Sequence, residues 1–217
     1  MSQIFKSTTN SLARTSIILG GLAVAGIAVV LFQLIANSSY ATRQGEAREQ
    51  PIPFSHAHHA GSMGINCLYC HSQVENSDHA TVPPTKTCMN CHSQIWINSS
   101  TLQPVRDSYS TNQSIRWTKV NDLPDYVYFN HSIHVKKGVG CETCHGRVDN
   151  QALTWMQPSL EMRWCLDCHR HPEKYVRPRE FVTTMGYTPS EPQEVIGARL
   201  VKEYHILKLE TCWTCHR

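Results

Sequence analysis

The stretch Cys67-Leu68-Tyr69-Cys70-His71 decides how this chain is read. Its pattern, C-x-x-C-H, returns at residues 88–92, 141–145, 165–169 and 212–216. C-x-x-C-H is the attachment signature of a c-type haem. Two thiols bond to the two vinyl groups of one porphyrin, and the adjacent histidine lies under the iron as its proximal ligand. The expected thioether positions are Cys67 and Cys70, Cys88 and Cys91, Cys141 and Cys144, Cys165 and Cys168, and Cys212 and Cys215. The expected proximal ligands are His71, His92, His145, His169 and His216.

The five motifs use all ten cysteines of the chain, so none remains for a disulfide, a free nucleophile or a cluster. A structural zinc site or a disulfide framework would not need a histidine after every second cysteine. The sequence therefore predicts five covalently bound haems c. The chain has 217 residues, of which 8% are aromatic and 41% hydrophobic, and the hydrophobic share includes the cysteines and one apolar run. That is too little apolar side chain for an ordinary core. The expected fold class is mainly α and irregular, with little or no sheet, the polypeptide wrapping around five porphyrins behind one N-terminal transmembrane helix. The formal charge of +3 does not point to nucleic acid. Two propionates on each of five haems move the balance to about −7. The basic residues are also scattered, without the aromatic stripe of a single-strand binder.

Residues 1–14 are polar and carry Lys6 and Arg14 with no acidic residue, the mark of a cytoplasmic N-terminus. Residues 16–36 contain no charge and a single polar interruption, Gln33, long enough for a transmembrane helix placed at 15–36. A cleaved signal peptide is the competing reading, with Ser39-Tyr40-Ala41 as its cleavage site, but its apolar core is normally about 7–15 residues. The retained anchor places the rest of the chain on the periplasmic side of the bacterial inner membrane. Gly21, Ala25 and Ala28 would allow close contact with a neighbouring helix. Residues 37–50 read as a polar tether, 51–93 as a first two-haem module, 94–128 as a joining segment, and 129–217 as a second module with haems 3–5.

The two modules repeat each other. Phe54-Ser55-His56-Ala57-His58-His59 and Phe129-Asn130-His131-Ser132-Ile133-His134 both read F-x-H-x-x-H, seven and six residues ahead of a haem motif. Histidines three apart share a helical face and can reach two irons. His56, His59, His131 and His134 are the expected distal ligands. By analogy with small trihaem cytochromes of the same signature, His56 pairs with His71, His59 with His92, His131 with His145, and His134 with His169. One iron is left over. Met162, three residues before Cys165, is the first choice for it, ahead of His171, His79, Met156 and His205. In the joining segment a helix is expected to start near Pro104, with a turn at Asp122-Leu123-Pro124-Asp125. Near the end, Ser190 and Gln193 suggest a capping box, and Ile196, Leu200, Val201 and Tyr204 form one helical face, expected to pack on the last haem or a partner.

Three stretches carry a family resemblance: Pro51-Ile52-Pro53-Phe54-Ser55-His56, the approach Trp117-Thr118-Lys119-Val120 to Phe129, and Leu160-Glu161-Met162-Arg163-Trp164-Cys165. With them the chain resembles the pentahaem cytochrome c subunit of bacterial alternative complex III over nearly its whole length. The resemblance implies a haem relay in a quinol-oxidising membrane complex. Its partners would be an iron–sulfur subunit and polytopic membrane subunits, and its acceptor a periplasmic cytochrome c or a terminal oxidase. The cytochrome subunit of quinone reductase complexes has a similar layout with a sixth haem, and the count of five argues against it. Two other functions compete. A membrane-anchored quinol dehydrogenase feeding a periplasmic reductase would need a haem at the membrane surface, which the tether disfavours. A multihaem reductase enzyme would need an open iron, whereas all five motifs end in histidine and ligand candidates outnumber irons. No paired carboxylates, nucleophile triad or phosphate loop is visible, so the expected role is electron transfer, not catalysis.

Overall fold

A computed structural model describes residues 6–216, in two compact units, Met1–Gln44 and Gly45–Arg217. The first five residues of the expected cytoplasmic segment lie outside the described residues. In the first unit, α1 (Ser7–Ala36) is one uninterrupted helix of 30 residues. At about 1.5 Å per residue it is longer than the roughly 30 Å hydrocarbon layer. It starts ahead of the apolar run because residues 7–14 contain neither glycine nor proline. Its large apolar side chains are exposed, as a membrane anchor or a signal sequence requires. Asn37 closes it, its backbone and side-chain N–H groups donating to the Gln33 carbonyl. A single turn, α2 (Ser39–Thr42), follows.

The second unit begins inside the segment expected to be a tether. Residues 45–50 are tied down: Gly45 donates to the Met156 carbonyl, Ala47 bridges to Trp155, and the Arg48 and Gln50 side chains donate to the carbonyls of Lys119 and Thr118. The Arg48 and Gln50 side chains thus satisfy main-chain groups far along the sequence.

Short helices joined by irregular chain make up the rest: α3 (Cys67–Cys70), α4 (Thr85–His92), α5 (Gln103–Thr111), α6 (His131–Lys136), α7 (Cys141–His145), α8 (Met162–Arg170), α9 (Gln193–Glu203) and α10 (Cys212–Cys215). Among the described residues there is no sheet, only the isolated bridges Ala47–Trp155 and Val139–Val176. The α5 helix begins one residue before Pro104, whose fixed φ and missing N–H suit a first turn.

Nine hydrophobic side chains are buried among the described residues, and most fall into two small clusters. Ile52, Leu102 and Val105 form one, flanked by Cys88, Met89, Ile115 and Trp117. Val176, Ile196, Leu200 and Tyr204 form the other, flanked by Val139, Val201 and Ile206. The second cluster is the expected apolar face of α9, but its cover is Val176 and the turn Pro172–Lys174, not a haem or a partner. The expected capping box is also corrected. The helix starts at Gln193 behind Pro192, and the Gln193 amide donates to the carbonyls of Glu173 and Val176. Proline ahead of the first turn leaves Ser190 outside the helix, so Gln193 is free to reach the neighbouring turn.

Gly197 is where α9 meets that turn: a Cβ there would lie 1.8 Å from the Glu173 carbonyl oxygen. Gly197→Ala should therefore cost about 1–3 kcal/mol by overpacking. A lowered thermal midpoint of the purified protein checks this; an unchanged midpoint would show that α9 can shift freely.

Candidate haem sites

Each C-x-x-C-H motif forms one turn of helix. Residues i, i+3 and i+4 share a helical face, so each turn presents its two thiols and its imidazole together. Asn66 caps the first turn by accepting from the Leu68 N–H at 2.9 Å. None of the ten cysteines is in a disulfide and none is fully buried. Burial pushes the Cys144 thiol up to about 12 and Cys168 to about 11. Among the described residues, no three His, Cys, Asp or Glu side chains converge on one point that could hold a metal ion. Haem iron asks the protein for only two ligands.

The two F-x-H-x-x-H units fold alike. Phe54 meets His56 edge-on at 4.9 Å and stacks on His59 at 4.4 Å. Phe129 meets His131 edge-on at 4.7 Å and stacks on His134 at 4.5 Å. In both units the second histidine's Nδ1 bonds the carbonyl four residues back, of Ser55 at 2.8 Å or Asn130 at 2.7 Å. The single-residue difference in spacing is also explained. Gly64 and Gly138, each three residues before a haem motif, both take positive φ. The extra residue of the first unit lies between His59 and Gly64, where the chain makes a π-helical turn, Ala57–Ser62, instead of an α turn.

Imidazole pairs test the fit to haem. Two imidazoles bound through Nε2 on opposite sides of one metal, each about 2.0 Å away, have centroids about 6 Å apart. His59 and His92 lie 6.2 Å apart, and His134 and His169 lie 6.1 Å apart. His71 is the foremost charged neighbour of His56, and His131 is that of His145. Burial, the larger cause, and these neighbours push His56 and His145 down to about 4. Burial likewise lowers His131 and His134. Lowering of this kind favours the neutral ring, the form that ligation requires.

Nδ1 anchoring is common to these histidines. His71 Nδ1 meets the carbonyl of Thr81 at 2.9 Å, His92 that of Ile95 at 3.3 Å, His169 that of Leu209 at 2.9 Å and His216 that of Tyr126 at 3.0 Å. His145 faces the Asn121 side chain at 3.2 Å. Two distal candidates are anchored across the modules: His56 by the Thr154 hydroxyl at 3.0 Å and His131 by the Asp78 carbonyl at 3.1 Å. With Nδ1 occupied, each ring offers Nε2 to a metal. Of the other four histidines, His79 and His171 are also engaged through Nδ1, by Asp78 Oδ1 at 2.8 Å and Glu173 Oε1 at 3.4 Å. Exposed His58 stacks on Trp96 at 6.3 Å, and His205 is exposed at φ 50°.

Of the methionines considered for the remaining iron, Met156 is buried in the protein interior. Met162 is 64% exposed, one turn ahead of Cys165. The thiol of Cys165 is an electrostatic neighbour of Cys215 in the fifth motif.

Such neighbour relations order the motifs. Cys70 senses Cys88, and the Tyr69 hydroxyl accepts from the Asn90 amide at 3.0 Å, joining motifs one and two. The Cys67 and Cys141 thiols are electrostatic neighbours, joining one and three. Residues 182–183 brace both, the Val182 carbonyl accepting from Cys141 N–H and the Thr183 carbonyl lying 3.9 Å from Cys67 Sγ. Cys144 senses Cys168 and Cys165, joining three and four. Arg170 pairs with Glu210 at 2.9 Å, joining four and five. The cross-module anchors and this order are not visible in the sequence, because they join residues up to 98 positions apart.

Residues 127–217 match the family described as cytochrome c7 and related cytochrome c. The chain is also similar to the menaquinone reductase multihaem cytochrome c subunit of Nitratidesulfovibrio vulgaris strain Hildenborough. The two are 29% identical over 143 residues, covering 56% of this chain and 68% of that protein. Both findings support a multihaem c-type cytochrome that binds haem c covalently and serves electron transfer.

Proposed function

We propose that this multihaem cytochrome carries five haems c and relays electrons within a quinol-oxidising membrane respiratory complex. The observation that carries the reading is the anchoring of nine histidines through Nδ1, five in the motifs and four in the F-x-H-x-x-H units. When bound, haem supplies one-electron redox chemistry. The chain's part is to hold it. The cysteine pairs fix five porphyrins, and His71, His92, His145, His169 and His216 bind from the proximal side. His56, His59, His131 and His134 would supply the second ligands to the first four of these, each through Nε2. Met162 serves the site of His216, the one site that the two F-x-H-x-x-H units leave without a second ligand. With two protein ligands to each iron, bound haem would pass electrons and would not take a substrate. The motif order two–one–three–four–five makes a line with the second and fifth sites at its ends.

α1 anchors the chain in the bacterial inner membrane with its haem unit on the periplasmic side. The partners are an iron–sulfur subunit and polytopic membrane subunits, with a periplasmic cytochrome c or a terminal oxidase as acceptor. The likeness to a menaquinone reductase subunit favours a second reading, in which the same line delivers electrons towards quinone. Purification from native membranes in mild detergent, with assay of the complex in both directions, separates the two. Quinol oxidation coupled to cytochrome reduction supports the first, and quinone reduction by reduced cytochrome supports the second.

Intact mass of the purified chain should exceed the polypeptide by five haems, and fewer would reduce the relay. His134→Ala should turn one haem from low-spin to high-spin in the oxidised spectrum, while His58→Ala leaves every haem low-spin. Low-spin spectra in both variants would remove His134 from the ligand set. The reduced protein should bind carbon monoxide slowly or not at all, and a large fast fraction would mark an open iron and a catalytic site.

A further inference from the structure

Among the proximal histidines, those of motifs one, two, four and five place Nδ1 against main-chain carbonyls. The third motif differs: His145 Nδ1 meets the side-chain amide of Asn121, with Nδ2 at 3.2 Å. The Asn121 Oδ1 is buried and has no hydrogen-bond partner among the described residues. These two facts bear on each other. If Nδ2 donates to Nδ1, the neutral imidazole carries its proton on Nε2, and a protonated Nε2 cannot bind iron. A half-turn of the amide exchanges its two ends. Oδ1 then accepts the Nδ1–H of His145, the oxygen gains the partner it lacks, and the Nε2 lone pair is free. The NH2 group takes the buried position that the oxygen leaves, a cost that ligation of iron offsets.

We infer that Asn121 is the positioning residue of the third haem site, its Oδ1 accepting the His145 Nδ1–H and thereby fixing the tautomer and basicity of the proximal ligand. The inference rests on the relay reading, since it takes His145 as an iron ligand. No substitution removes the carbonyls that serve the other four proximal histidines, whereas Asn121 can be changed without touching the main chain. Through it the sequence sets the potential of the middle site of the line.

The test uses the full-length, haem-loaded protein in detergent, with Asn121→Asp and Asn121→Leu beside it. Each is followed by redox titration of the haem absorbance and by mass of the haem peptides. A carboxylate is the stronger acceptor and raises ligand basicity, so Asn121→Asp should move one wave to lower potential. Asn121→Leu removes the acceptor and should move the same wave to higher potential. The remaining waves stay where they are. If Asn121→Asp fails to load the third haem, Asn121→Leu alone decides. Fully loaded variants with unmoved waves overturn the role of Asn121. An unsubstituted protein whose third-motif peptide carries no haem overturns the relay reading instead.

Discussion

Everything in the second unit depends on holding imidazole rings with Nδ1 occupied and Nε2 presented. A free histidine side chain rotates about two bonds and exists as two tautomers, and a ligand must be fixed in both respects. Here one hydrogen bond per ring does both. Most of these bonds end on main-chain carbonyls, which are rigid and always acceptors. The chain therefore needs few side chains dedicated to orientation. It also needs its irregular segments, because a carbonyl inside a helix is already engaged while one in a loop is available. The long connections at residues 77–84 and 204–211 fit this need, supplying the carbonyls of Asp78, Thr81 and Leu209.

A second constraint is the scarcity of apolar side chains. Two clusters, of three and four buried residues, are the protein-only core of the haem unit. Neither sits under a C-x-x-C-H motif as its principal support, although Cys88 borders one of them. Instead they brace the connections, one between α4 and α5 and the other beneath α9. Around the motifs the bracing is polar and close-set. Gly61 lies against the Asp149 carbonyl, and Gly138 lies against that of Arg177, at distances that exclude any Cβ. Arg177 is itself buried and pairs with Glu142 inside the third motif at 3.2 Å. Removing either partner would strand a buried charge, which is how such a pair enforces one arrangement.

The repeat shows how local and long-range order combine. In each unit a phenylalanine clamps two histidines, and this clamp is local, complete within six residues. The anchors of the first histidines are not local. Thr154, from the second module, holds His56, and Asp78, from the first, holds His131. Neither module can place both of its distal histidines alone, so the two fold as one body. That interlock brings motif one against motif three, and so converts two pairs of sites into one line.

The sequence by itself determined the chemistry: five motifs that exhaust ten cysteines, two F-x-H-x-x-H units, one apolar helix and too little apolar side chain for a conventional core. These are legible because each depends on spacing within one or two helical turns. It also located the apolar face of α9 and the proline that opens α5. It misjudged what covers that face and where that helix begins, and it did not show the partners of residues 45–50, since each of these turns on residues distant in the chain. The order of the motifs, the cross-module anchors and the meeting of Asn121 with His145 were decided only by the tertiary structure. A hydrogen bond across 98 residues leaves no periodicity to read; it exists once the chain has closed on itself.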